Sequence, residues 1–369
     1  MEKNSIELVK KLFKRYYYKY NETINKIEQR EIGYATFDNT IIRHLRFKSS
    51  EELRAYILRE VPADVYISNA YYLNPSAEMD QKGWLGADLI FDIDIKELEL
   101  DCLSTHKINI CPECKRKDTH NLCKNCNINM REVNIPCNNC IENGKLQVKR
   151  ALDIINDLGS FDYKVYFSGN NGFHIHIEDK DLMLLDSNAR REIADYVSGK
   201  GLIPEIFGIS RTKNDIKIIK IAVKARKGWK GRIIKYLLSS KSDEGSLIRS
   251  LSKKRYDQFN KELQDIAKIL SAYSIDSIVT IDTHRIFRLQ GSLSSKSGLA
   301  KVRVNDIDSF NPFNEAVIKD DDPIKVNVYY SPTFILNDNK FGPYKDEIIT
   351  LPAYAALYLI CKGVADVKY

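Results

Sequence analysis

Six of the eight cysteines in this chain form three Cys-x-x-Cys pairs, Cys111/Cys114, Cys123/Cys126 and Cys137/Cys140, and a seventh, Cys102, stands just before them. A Cys-x-x-Cys turn aims two thiolates at one metal ion, and two such turns complete an all-thiolate tetrahedral site for zinc. Clustered pairs read as metal ligands rather than disulfides in a chain whose first residues carry charge and no apolar leader core. Four of the six paired thiols (Cys111, Cys114, Cys123, Cys126, Cys137, Cys140) are therefore the expected ligands of a structural Zn²⁺. Two would be spare or alternative, and His106 and His120 could also contribute. Segment 102–140 is accordingly a zinc-binding insertion.

The chain has 369 residues, enough for two or three lobes. With 43% hydrophobic and 29% charged residues and only 17 Gly and 10 Pro, disorder and low-complexity scaffolds are excluded. The longest apolar stretch, Ala353 to Cys361, is about half of what a membrane helix needs, so the expectation is a soluble, cytoplasmic protein with no membrane partner. The net charge of +7 is unevenly spread, with ten basic residues and one acid between Arg211 and Lys235. Such a block suits a polyanion such as nucleic acid, and equally a solvated helix face. It falls in segment 207–272, read as a basic, mainly helical insertion.

Elsewhere the pattern is mixed α/β (α+β). Apolar residues at Val9, Leu12, Phe13, Tyr16, Tyr17 and Tyr20 mark an amphipathic helix, and Ser49 to Glu52 is a capping box opening another. Asp88 to Asp94 alternates, with Leu89, Phe91 and Ile93 on one face and Asp88, Asp92 and Asp94 on the other. The carboxylates of Asp92 and Asp94 then lie about 7 Å apart along the strand, a pair that calls for a cation or a proton. Strand-borne Asp-x-Asp pairs commonly hold Mg²⁺ or Mn²⁺ for nucleotidyl transfer, with a third carboxylate, here Asp282 at the end of an expected strand Ser277 to Asp282. Ser168 to Gly172 is a glycine-bearing turn between strands, offering N–H groups and a hydroxyl to an anion, with His174 and His176 on the returning strand. Arg285, Arg288 and Lys296 would supply fixed positive charge to a triphosphate.

Taken in order, the Asp-x-Asp strand, the cysteine insertion, the SGxxGxHIH hairpin and VTIDTHRIFRLxGSLxxKSGL resemble the catalytic (small) subunit of archaeal and eukaryotic DNA primases, the archaeal type above all. Arg43-His44-Leu45, Trp84 to Asp88 and Leu351 to Ile360 also fit, so the resemblance runs over most of the chain. It implies a primase-type catalytic core built from 1–101, 141–206 and 273–369. By the same likeness Asp92, Asp94 and Asp282 match the metal-binding catalytic aspartates. Ser168 and His174 match contacts to the nucleotide phosphates, and Arg285, Arg288, Ser292 and Lys296 match the third motif. Cys111 and Cys114 match the first zinc pair and Cys140 the last ligand, with Cys123 and Cys126 competing for the remaining place. Two departures stand out: Asn170 and Asn171 where the family hairpin has an arginine, and Ser294 where it has a histidine. Both lost groups would be phosphate contacts, which implies weaker nucleotide affinity or compensation by Arg285 and Lys296.

The implied activity is DNA-templated synthesis of short RNA primers, possible with DNA as well, on single-stranded DNA from nucleoside triphosphates. It would use Mg²⁺ or Mn²⁺ and a primase large subunit as heterodimer partner in the primosome. A repair-type relative that only extends existing 3′ ends, or a non-catalytic zinc and nucleic-acid-binding module, are the alternatives.

Overall fold

Helix α1 (Lys3–Tyr18) buries the stripe its spacing marks out, Val9, Leu12, Phe13 and Tyr17, with Tyr20 just beyond. Tyr16, Tyr17 and Tyr20 pack on the core while Tyr18 is exposed, and the hydroxyls of the first three reach a distant loop. Tyr16 and Tyr20 donate to the carbonyls of Gly291 and Gln290, and Tyr17 accepts from the Leu293 N–H. The computed structural model describes residues 1–118, 120–211, 216–218, 227–241 and 243–369.

Strands β1 (Arg30–Ala35) and β2 (Ile41–Leu45) pair antiparallel, and α2 (Ser50–Glu60) follows, capped by the Ser49 hydroxyl on the Glu52 N–H. Strand β3 (Asp64–Tyr72) runs four residues past the expected Ser68 and pairs with β1 and with β4 (Trp84–Ala87). Next comes β5 (Leu89–Asp94), the carboxylate strand. The cysteine segment holds the short helix α3 (Leu103–His106) and the strands β6 (Lys107–Ile110), β7 (Lys117–Asp118) and β8 (Arg131–Asn134), in the order β7-β6-β8. Helix α4 (Asn138–Leu158) begins seven residues before the expected Lys145, so Cys140 sits in its first turn.

Strands β9 (Tyr163–Phe167) and β10 (Gly172–Ile177) form the hairpin. The expected helix Asp181 to Val197 is two, α5 (Lys180–Met183) and α6 (Ser187–Val197), because Asp186 caps the second through the Ala189 N–H. Its buried side is Arg190, Ala194 and Val197, one residue on from the expected Ala189, Ile193 and Tyr196. The fully buried Arg190 guanidinium spends its donors on the carbonyls of Leu185, Ala87 and Asp88. In 207–272 lie β11 (Ile209–Arg211), β12 (Ile216–Ile218), α7 (Gly228–Leu238), α8 (Glu244–Leu251) and α9 (Tyr256–Leu270). Residues 212–215 and 219–226 of the basic block that begins at Arg211 lie outside the described residues.

Ser277 to Ile281 is a helical turn, α10, not the expected strand, and Asp282 is its C-cap. The β-branched run Ile278, Val279, Thr280, Ile281 favours a strand locally. Against it, the Asp276 carboxylate accepts from the N–H groups of Ile278 and Val279 and nucleates the turn. After β13 (Ile286–Arg288), β14 (Val302–Val304) and α11 (Pro312–Glu315), the chain builds β15 (Pro323–Ser331), the hairpin β16 (Phe334–Leu336) and β17 (Asn339–Phe341), and β18 (Tyr344–Pro352). It ends in α12 (Ala353–Lys362) and β19 (Ala365–Val367). Every residue of α12 is buried, so this apolar run is a core helix. Among the described residues no helix is long and apolar enough to cross a membrane.

Two antiparallel sheets carry the site. One has the path β13-β3-β1-β2 with β4 joined to β3, and the other runs β14-β9-β10-β5. The second sheet turns Leu89, Phe91, Ile93, Phe173, Ile175 and Phe167 into the core, each at most 1% exposed, where α4 packs across them. Burial of side chains this size is worth about 1.5–3 kcal/mol each, which fixes the register and sends Asp92, His174 and His176 to the opposite face. A third sheet, β18-β15-β19, packs against α12 and α1.

Candidate active site and metal centres

The hairpin register sets the first contact. Asp92 lies directly opposite His174, and Asp94 opposite Gly172. His174 Nε2 is 3.4 Å from Asp92 Oδ1. Gly172 is obligatory, because a Cβ there would sit 2.5 Å from the Ile93 carbonyl oxygen. Gly172→Ala is expected to cost about 2–4 kcal/mol and to pull the hairpin off β5, read as a lower urea midpoint with loss of nucleotide binding.

Burial, reinforced by Asp94 and Asp276, pushes the Asp92 carboxyl up to about 7, against the pull of Arg285 and Lys301. Burial also raises Asp94, although its Oδ1 accepts the Lys96 N–H at 2.9 Å. Two neighbouring carboxyls held above their ordinary range chiefly by burial form a donor set that suits a hard divalent cation. Asp282 stands at the end of α10, which packs on β5, and its Oδ1 accepts the His284 N–H at 2.8 Å. Among the described residues the groups of three or more ligand atoms within 4.8 Å of one another are two cysteine clusters, so the carboxylates are more loosely set.

His174 is held well below its ordinary value by burial and by Lys301, Arg288 and Arg285, so it is a neutral imidazole at pH 7. Its Nδ1 is buried without a hydrogen-bond partner. Phe287 of β13 stacks edge-on against both His174 and His176, fastening the two sheets together.

The other expected residues divide. Arg285 is half-buried and its charge reaches both Asp92 and His174. Lys296 is exposed, and Ser168, half-buried, gives its backbone N–H to the Gly172 carbonyl. Arg288 is paired with Asp64 and donates to the Leu293 carbonyl, and the Ser292 hydroxyl donates to the Leu289 carbonyl at 2.7 Å. Those two shape the loop that carries Lys296. Arg43 pairs with the buried Glu31, which Lys82 also holds at 2.8 Å. Burial alone would raise Glu31, yet these bonds keep it below its usual range. Asp88 is likewise engaged, by Arg30 and the Tyr71 hydroxyl. Asn170, one of the two departures, accepts from Lys362 Nζ at 2.9 Å.

Sequence reading missed Asp276 and Lys301. Lys301 is 1% exposed, with Nζ 3.3 Å from His176 Nε2, and burial together with Arg288 pulls its ammonium down to about 7 while Asp92 opposes them. No local pattern marks it, since only the tertiary packing buries it. Between about pH 7 and 10.5 the unfolded chain holds a proton on Lys301 that the folded chain releases, so stability rises with pH across that window and the cost is fully present below it. Lys301→Met is therefore expected to stabilise by about 1–3 kcal/mol near neutral pH, the gain vanishing by about pH 10 in urea unfolding.

The cysteines separate into two clusters, Cys102–His106–Cys137–Cys140 and Cys111–Cys114–Cys123–Cys126. The expectation of one site on four of the six paired thiols, with His106 able to contribute, thus misses Cys102, the residue capping α3, whose i, i+4 spacing to His106 was the available signal. In the first cluster Cys102 Sγ is 3.5 Å and Cys137 Sγ 3.8 Å from Cys140 Sγ. Burial lowers His106, keeping it neutral, and its Nδ1 is buried without a partner. Three thiols and a neutral imidazole at that spacing fit tetrahedral zinc. His120 is exposed and lies outside both clusters.

A carboxylate pair, a neutral buried imidazole and the half-buried Arg285 beside a glycine hairpin are groups of the kind that can bind divalent cations and phosphate. A family model described as "DNA primase small subunit" matches residues 132–306. The chain is 38% identical to the DNA primase small subunit PriS of Nitrosopumilus maritimus over the whole of both chains. It is 37% identical to that of Cenarchaeum symbiosum, over 99% of this chain and all of the other, and 33% to that of Archaeoglobus fulgidus, over 97% of each. The chain belongs to the DNA primase small-subunit family.

Proposed function

We propose that this chain is the catalytic subunit of a DNA primase, a nucleotidyltransferase that makes short primers on single-stranded DNA from nucleoside triphosphates, working with a large subunit. The observation that carries the reading is the register of β5 and β10, which sets Asp92 and Asp94 against the hairpin with His174 Nε2 3.4 Å from Asp92.

Asp92, Asp94 and Asp282 would hold Mg²⁺ or Mn²⁺, which when bound supplies charge to activate the 3′-hydroxyl and steady the leaving pyrophosphate. The chain's own groups do the positioning. His174, held neutral, carries a single ring N–H that can be given to a phosphate oxygen. Arg285 and Lys296 offer cations to the triphosphate, and Ser168 its hydroxyl. Arg288 acts through the loop it ties to Asp64 and through its charge on His174. Zn²⁺ at Cys102, His106, Cys137 and Cys140 would join the base of the cysteine insertion to α4, which lies across the back of β5 and β10.

The test is synthesis from labelled nucleotides on unprimed single-stranded DNA, with and without an annealed primer. Products on the unprimed template support the reading. Activity confined to the primed template, even with the large subunit added, makes the chain an extending polymerase, and silence throughout makes it a binding module.

A further inference from the structure

We propose, resting on the nucleotidyl-transfer reading above, that Lys362 at the end of α12 is a positioning residue for the triphosphate of the incoming nucleotide. It fixes the side-chain amide of Asn170 and sets a positive charge behind the hairpin turn 168–172.

The turn is held by its acceptors, which leaves its donors over. The Asn171 carbonyl accepts the Ile95 N–H at 2.9 Å, tying the turn to the chain one residue past Asp94. The Gly172 carbonyl accepts the Ser168 N–H at 2.9 Å, and the Gly169 carbonyl accepts the Ser297 hydroxyl, one residue past Lys296. Asn170 Oδ1 is taken by Lys362 Nζ at 2.9 Å. Among the described residues, nothing accepts from the N–H groups of Gly169, Asn170 and Asn171, from Asn170 Nδ2 or from the Ser168 hydroxyl. A tight turn with spent carbonyls and free N–H groups suits an anion.

Lys362 decides which end of the Asn170 amide is free. An ammonium donates and cannot accept, so it admits the orientation that gives it Oδ1 and turns Nδ2 away. Without that partner the amide could equally present an oxygen to a phosphate and repel it. The neighbouring Asn171 amide, whose buried Oδ1 has no partner, has nothing to set it.

The lysine itself wants an anion. It is 5% exposed and pairs with no carboxylate among the described residues; besides Asn170 it meets the Tyr358 ring, 5.5 Å away. Burial and Lys96 pull its ammonium down to about 7, with only Cys361 opposing. Lys96 also acts on Asp94, so two cations flank the place where the turn meets the carboxylate strand. A phosphate there relieves both.

Nor is Lys362 free to swing away. Gly363 ends α12 with a φ of 68° and returns its N–H to the Ile360 carbonyl at 2.8 Å, and Arg131 of β8 donates to the Lys362 carbonyl at 2.6 Å. The charge that a hairpin arginine would bring locally thus arrives from 192 residues away.

The test is calorimetric binding of ATP and of inorganic triphosphate, each with Mn²⁺, to the full chain, beside nucleotide KM and kcat on primed DNA. Lys362→Met is expected to weaken both ligands about tenfold and to raise KM about tenfold with kcat within about threefold. Its urea midpoint should stay level or rise, because a buried unpaired charge is removed, so the loss of binding is not a loss of fold. Asn170→Ala should show the same loss, and the double variant no more than about threefold beyond either single one. Affinity and KM within about twofold of the parent, a loss for ATP that inorganic triphosphate does not share, or losses that multiply in the double variant would overturn the proposal. A parent that binds no ATP overturns the nucleotide reading itself, and this inference with it. Where Lys362→Met does not fold, Asn170→Ala decides.

Discussion

Asp92→Asn is expected to lower nucleotide incorporation by more than about 10³-fold, or about 4 kcal/mol of transition-state stabilisation, on primed and unprimed DNA alike. The substitution keeps the shape and removes the charge that would hold the cation. Folding should not suffer. Asp92 is half-buried, and desolvation together with the charges of Asp94 and Asp276 pushes its carboxyl up to about 7, so a neutral amide relieves both. The urea midpoint should stay level or rise by up to about 1 kcal/mol in stability. Activity within tenfold of the parent would refute the assignment. A contrast sharpens the measurement: Ser292→Ala, whose hydroxyl is tied to the Leu289 carbonyl, should change the nucleotide KM by less than about threefold.

Cys140→Ser is expected to destabilise the whole chain rather than the insertion alone. Cys140 is fully buried in the first turn of α4, with Cys102 and Cys137 around its sulfur, and α4 packs on β5 and β10. Structural zinc contributes apparent binding energies of about 10–16 kcal/mol in small domains, and even a fraction of that exceeds the margin of a typical fold. Loss of one zinc with a fall of more than about 4 kcal/mol in unfolding free energy is the expected result. Zinc retained with stability within about 1 kcal/mol of the parent would show that this cluster does not anchor α4. The paired substitution Cys114→Ser with Cys126→Ser, at the far end of the β6–β8 sheet, should leave the α4 anchor in place.

The elements legible in the sequence are those whose physics is local. The alternation of Leu89, Phe91 and Ile93 against Asp92 and Asp94 specifies a strand with a buried and a polar face, and the stripe from Val9 to Tyr20 specifies α1. The glycine turn before His174 specifies the hairpin, and the Cys-x-x-Cys pairs specify metal chemistry. Where local signals compete, propensity misleads: the Ser277–Ile281 run looks like a strand until the Asp276 cap is counted.

What the chain's linear order determines, then, is which side chains share a face and which turns can form, because spacing of two or four residues along one element fixes both. What the tertiary structure alone decides is charge state and partnership. Lys301 is drawn down toward neutral only because packing buries it beside His176, and Arg288 is tied to Asp64 far earlier in the chain. Cys102 and His106 join Cys137 and Cys140 only because β6 and β8 pair and bring their ends together. Desolvation and contacts between distant residues have no signature in local spacing, since both arise from the layers that close over a residue rather than from its neighbours in sequence.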